Sequence, residues 1–195
     1  MPKGQLSRDH GSEEQKMKNQ AKLIIAAVMM TVVSIPAAAQ TCKTDSIKAT
    51  INPDRLIENG DGTVTDAETG LMWAQCSIGQ EWTGAGCSGA PTDLDWQGAL
   101  QVADQFNHNG GLAEKTDWRI PSIKEIGSLV EHQCHSPAIN LAYFPDTPSA
   151  TYLSSTVKVD QFGNVQGGRS IDFAFGSDLT PQVSSRRHIR LVRSN

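Results

Sequence analysis

Long apolar runs are scarce in this chain, and basic residues are scarcer still beyond its first forty positions. The longest predominantly apolar stretch, Leu23 to Ile35, has thirteen residues. Crossing ~30 Å of hydrocarbon takes about 20, so this stretch is too short to be expected to anchor the chain. From residue 40 onward, twelve basic residues face eighteen acidic ones, a net charge of −6. That balance argues against a nucleic-acid binder, whose phosphate contacts need a basic surface. Catalytic signatures are missing too. There is no G-x-S-x-G elbow and no H-E-x-x-H pair, and Gly163-Asn164-Val165-Gln166-Gly167-Gly168 lacks the Lys-Ser/Thr ending of a phosphate loop and reads as a hairpin connection. An EF-hand loop beginning at Asn59 would have Val64 where glycine is required. No tandem repeat stands out. The expectation is therefore a protein that binds rather than catalyses, with no cofactor and no metal.

The short apolar stretch fits export. Lys16, Lys18 and Lys22 precede it, and Pro36 with Ala37-Ala38-Ala39 follows, which is the charged lead, apolar core and A-x-A ending of a cleavable signal peptide. Residues 1–39 are expected to be removed, leaving Gln40 at the N-terminus. Met17 opens a more typical lead than Met1 does, so translation starting at Met17 is a second reading. Cys42 lies three residues past Ala39 and follows Gln40-Thr41, so a lipidation site is missing. The mature chain is expected in the periplasm, secreted or at the cell surface, with no stable membrane anchor after cleavage.

Residues 40–195 hold all four Trp, both Tyr and all five Phe. That is the content of a globular domain, and its length suits one core. An N-terminal linker over 40–54 and a domain over 55–195 are expected. The four cysteines, Cys42, Cys76, Cys87 and Cys134, all fall in this part, an even count that reads as two disulfides in an oxidising compartment. Loop geometry favours Cys76 with Cys87 across Gly84-Ala85-Gly86, leaving Cys42 with Cys134, although three pairings are open. In the chain-entropy picture the short loop contributes roughly 3 kcal/mol and the long one roughly 4.6. A metal site at His132, Cys134 and His135 is the rival reading, set aside because C-x₂₋₄-C pairs are absent.

Arg55–Glu58, the Asn59-Gly60-Asp61-Gly62 turn, Thr63–Asp66 and Leu71–Ala74 read as an antiparallel meander, because Asn-Gly and Asp-Gly accept the positive φ of tight turns. Trp96, Ala99, Leu100, Ala103 and Phe106 recur at helical spacing after N-cap candidates at Thr92–Asp95, and Asn109-Gly110-Gly111 ends that helix. Ser122-Ile123-Lys124-Glu125 is a capping box opening a second helix. Tyr152–Thr156, Ser170–Phe175 and His188–Arg193 alternate like strands. The predicted class is α+β, two short helices packed with antiparallel strands.

Asn59–Asp66 with Thr69-Gly70-Leu71-Met72-Trp73, Trp96 at a helix start, Asp117-Trp118-Arg119-Ile120-Pro121-Ser122, Phe144-Pro145, Leu153-Ser154-Ser155-Thr156 and Arg190-Leu191-Val192-Arg193 form an ordered series that resembles the Lcl C-terminal domain family. The resemblance implies a C-type-lectin-like fold, akin to the formylglycine-generating enzymes, and a role like that of the family's namesake, a surface adhesin recognising sulfated glycosaminoglycans. The chain departs in lacking a collagen-like stalk and in carrying Ile120 where leucine is usual. Formylglycine-generating enzymes rely on redox-active cysteines, which singles out only Cys134 beside His135.

Trp73, Trp96 and Trp118 are expected in the core, with Arg119 in a structural ion pair or on a backbone carbonyl. Arg190 and Arg193 are assigned to structural pairs. In the predicted strand His188–Arg193, His188, Arg190 and Val192 share one face and Ile189, Leu191 and Arg193 the other. Arg186 and Arg187, joined by Arg169 and Lys158, are the candidate site for an anionic polysaccharide, since arginine's fork suits sulfate or carboxylate. An envelope protein is the alternative partner, and a solvated basic edge that discourages aggregation is the plain reading.

Overall fold

A computed structural model describes residues 39–180, 182 and 184–195. The signal-peptide expectation lies, but for Ala39, outside the described residues. Among the described residues, eleven strands and two helices alternate with turns. The strands are β1 (Thr41–Cys42), β2 (Leu56–Glu58), β3 (Thr63–Asp66), β4 (Leu71–Ala74), β5 (Glu81–Trp82), β6 (Cys87–Ser88), β7 (Cys134–His135), β8 (Thr151–Val159), β9 (Val165–Asp172), β10 (Ser177–Leu179) and β11 (Val192–Ser194). The helices are α1 (Trp96–His108) and α2 (Ile123–Gly127). All four sheets are antiparallel: β11-β4-β3-β2, β10-β9-β8 and the pairs β1-β7 and β5-β6. The protein is α+β and stapled by Cys42–Cys134 and Cys76–Cys87.

The meander follows from its turn residues. Gly60 and Gly62 take φ of +79° and +85°, and Asp61 Oδ1 accepts from the Thr63 amide at 3.1 Å and from its hydroxyl at 2.6 Å. Register then places Val64 opposite Trp73 and Trp73 opposite Val192, and all three are fully buried. This row leads one core cluster, with Ile126, Phe144, Tyr152 and Phe173. A second cluster lies under α1, made of Ala99, Ala103, Trp118, Ile120, Leu153, Ile189 and Leu191.

The helices begin and end as their local residues direct. Asp95 caps α1 by accepting from the Gly98 amide at 2.8 Å. At its other end the Gly110 amide bonds the Asn107 carbonyl and the Gly111 amide the Phe106 carbonyl, a Schellman closure that requires the positive φ of Gly110. The capping box of α2 is complete, Ser122 accepting from the Glu125 amide and Glu125 from the Ser122 amide.

Four expectations need correction. Only Val192–Ser194 of the predicted strand His188–Arg193 is regular; the two-faced alternation is kept, Ile189 and Leu191 in the second cluster and Arg190 and Val192 toward the first, but neither face meets solvent, since all four are fully buried. The segment runs between the two core clusters, so both of its sides are covered. Strand β9 runs from Val165 to Asp172, earlier than predicted. The chain then turns through Phe173 to Gly176, and Gly167 and Gly168 sit within the strand rather than in its connection. Glycine is required at 168 because a Cβ there would lie 2.3 Å from the Trp96 ring. The residues read as a linker, 40–54, are docked. Gln40 donates to the Pro137 and Ile139 carbonyls at 2.7 and 2.6 Å, Ile51 is buried, and Glu131 receives the Thr50 and Ile51 amides. Burial alone would raise the Glu131 pKa, but these amides and that of Gln133 hold it below the ordinary value. Finally, Trp73 and Trp118 are core, but Trp96 is only half-buried at the edge of the second cluster.

Candidate functional site

A well-formed concavity gathers residues that the sequence reading did not assign to a binding site. It has a volume of about 500 Å³ and lies between the Asn59–Gly62 turn, the disulfide loop from Cys76 to Cys87 and the C-terminal half of α1. Half-buried Ile78, Trp82, Val102, Phe106 and Leu112 give it apolar walls, and Asp61, Gln80, Glu81, Gln105 and Asn109 supply polar groups.

Each wall has a local cause. The Cys76–Cys87 bond closes a loop in which Trp82 pairs in register with Cys87 and Glu81 with Ser88. The Thr83 amide bonds the Gly86 carbonyl at 2.9 Å, and Asp146 Oδ2 accepts from the Cys87 amide at 2.9 Å, tying the loop to the body of the domain. The Trp82 ring rests against Gly62, where a Cβ would lie 2.9 Å from its Cγ. The Schellman closure holds Asn109 and Gly111 beside Phe106 and Leu112.

The Trp82 cleft carried no periodic signal, because a two-stranded disulfide loop is too short to show alternation. A signal did exist: an indole in a Gly-rich loop closed by nearby cysteines has no element of its own to bury it.

The arginines singled out from sequence are otherwise engaged. Arg186 donates to the Asp93 carbonyl and Arg187 to the Arg186 carbonyl, each at 2.5 Å, and Arg169 is ion-paired with Asp178. Lys158 stays exposed on β8. Arg119 makes a two-pronged pair with Glu125 at 2.9 and 2.6 Å, and Arg193 pairs with Asp117 at 2.7 Å. Arg190 departs from the ion pair assigned to it. Fully buried, it donates to the carbonyls of Ala74 and Gln75 and to Thr147 Oγ1, with Phe144 and Tyr152 rings 4.9 and 5.8 Å from its guanidinium carbon. Burial lowers its pKa, partly offset by Tyr152. Cys134 is bonded to Cys42 and so offers no thiolate, and His135 stacks on Phe175 instead. Among the described residues no helix is long and apolar enough to cross a membrane.

The sequence model of the Lcl C-terminal domain matches residues 62–193, more than half the chain. The chain belongs to the Lcl C-terminal domain family. In this Lcl C-terminal domain, Trp82, Phe106, Gln105 and Asn109 fall within the matched span, and Asp61 lies one residue before it. No curated protein and no solved structure matches the chain.

Proposed function

We propose that this protein is an exported, non-catalytic binding module, its domain arranged like a C-type lectin, that holds a saccharide in the Trp82 cleft. One observation carries the reading: two half-buried aromatic side chains, Trp82 and Phe106, line a cleft together with the amides of Gln105 and Asn109. Flat apolar faces pack on the C–H face of a sugar ring while amides meet its hydroxyls, the pairing of apolar wall and few polar groups expected of a small-molecule site. Two disulfides suit a periplasmic, secreted or surface-exposed protein. The polyanion reading draws less support, since Arg186, Arg187 and Arg169 already have partners within the chain.

Titration of the exported protein with a panel of neutral, amino and sulfated oligosaccharides, read by tryptophan emission and calorimetry, tests the proposal. At least one saccharide should bind, and Trp82→Ala or Phe106→Ala should weaken it by roughly 1–3 kcal/mol while Arg186→Ala with Arg187→Ala leaves it unchanged. If only heparin is retained, and only while both arginines are present, the cleft is not the site. If no saccharide binds, an envelope-protein partner becomes the working reading.

A further inference from the structure

We infer that the cleft selects a cationic, amine-bearing oligosaccharide, an inference that rests on the saccharide reading above and adds a charge and a length to it. The aromatic walls make the site, and its carboxylates decide what charge it accepts. Asp61 and Glu81 line the cleft and, among the described residues, no lysine or arginine does. Among the described residues, Asp61 uses only Oδ1, on Thr63, and the Glu81 carboxylate takes no hydrogen bond or ion pair. Both side chains are exposed, so both carboxylates are available to a ligand. A sulfate or carboxylate entering here would face two uncompensated negative charges in a domain of net charge −6. An ammonium would instead meet carboxylate acceptors with an indole face beside them.

Length follows from continuity. A second hollow, lined by Gln101, Asp104, Gln105, His108 and Asn109, shares Gln105 and Asn109 with the first. Gln101, Asp104, Gln105 and His108 stand three and four apart on α1 and so occupy one helix face. The two hollows therefore adjoin along α1, enough for a ligand longer than a single sugar ring, and a third carboxylate, Asp104, lines the second. The ligand that fits is a short chain of hexosamines with free amino groups.

Calorimetry on the exported protein, with both disulfides intact, would compare tetramers of glucosamine, N-acetylglucosamine and glucose with tetralysine. The glucosamine tetramer should bind at least about fivefold more tightly than its N-acetylated counterpart at low salt, with the ratio shrinking as salt is raised. Asp61→Asn with Glu81→Gln and Asp104→Asn should bring the two to parity, while Trp82→Ala weakens every saccharide. Equal affinities in the wild type, or a preference for a sulfated tetramer, overturn the charge selection, and a retained Trp82 dependence would show that the cleft reading itself survives. If Trp82→Ala changes nothing, the cleft reading fails first. Tetralysine binding as tightly as the glucosamine tetramer also overturns the inference, in favour of a basic peptide.

Discussion

At Gly62 the backbone turns with φ of +85° beneath an indole, and a Cβ there would lie 2.9 to 3.2 Å from three Trp82 atoms. Gly60, two residues earlier, has a similar φ of +79° but open space around its Cα. Alanine at either position costs about 1–2 kcal/mol through the left-handed backbone alone. Gly62→Ala is expected to do more, displacing the indole and shifting its emission, whereas Gly60→Ala changes stability only. Identical emission spectra for the two variants would refute that division. Arg190 presents the opposite case, a charge kept without a carboxylate. Its donors go to two carbonyls and a threonine hydroxyl, and aromatic faces flank it, so the surrounding dipoles take the place of a counter-ion.

Helix α2 spans only five residues, too few to persist on local propensity. Glu125 compensates by closing the capping box and pairing with Arg119. That Arg119 pair leads in drawing the Glu125 pKa down from 4.5 to about 2, with burial opposing it. A carboxyl depressed in the folded state contributes stability that is fully present above its unfolded value and is lost as pH falls toward the folded one. Glu125→Gln should therefore cost about 1–2 kcal/mol near neutrality, tempered by the solvent around Arg119. The gap between variant and wild type should close between pH 4.5 and about 2, as followed by chemical denaturation. A gap that stays constant across that window would show that the pair adds nothing. The paired strands β5 and β6 are likewise too short to hold themselves, and their shape is imposed by the Cys76–Cys87 bond and by Asp146.

Across the whole molecule the two disulfides divide their labour. Cys42–Cys134 spans 92 residues and Cys76–Cys87 spans 11. Replacing the first pair with serine should cost more stability, by roughly 1–2 kcal/mol on the loop-entropy argument. Replacing the second should cost less stability and more binding, since the loop it closes carries Trp82 into the cleft. Denaturation midpoints measured beside saccharide titrations separate the two effects. If the Cys76–Cys87 pair proves dispensable for binding, the cleft does not depend on its loop.

The sequence by itself determined the elements whose causes are local. The Asn-Gly and Asp-Gly turns, the Asp95 and Ser122 caps and the glycine ending of α1 all follow from neighbouring residues, and the motif series was enough to indicate the family, while the disulfide pairing was favoured by loop length but chosen among three only by the fold. Tertiary structure decided whatever depends on coverage from both sides. Ile189 to Val192 read as an alternating strand, yet both faces are buried because two core clusters meet there, which no periodicity in six residues could reveal. The cleft was hidden for the same reason: Asp61, Trp82 and Phe106 stand more than twenty residues from one another along the chain, and only the packing of turn, disulfide loop and helix end brings them to one concave surface. Arg186 and Arg169 looked available because their partners, the Asp93 carbonyl and Asp178, lie on other segments that only the fold brings beside them.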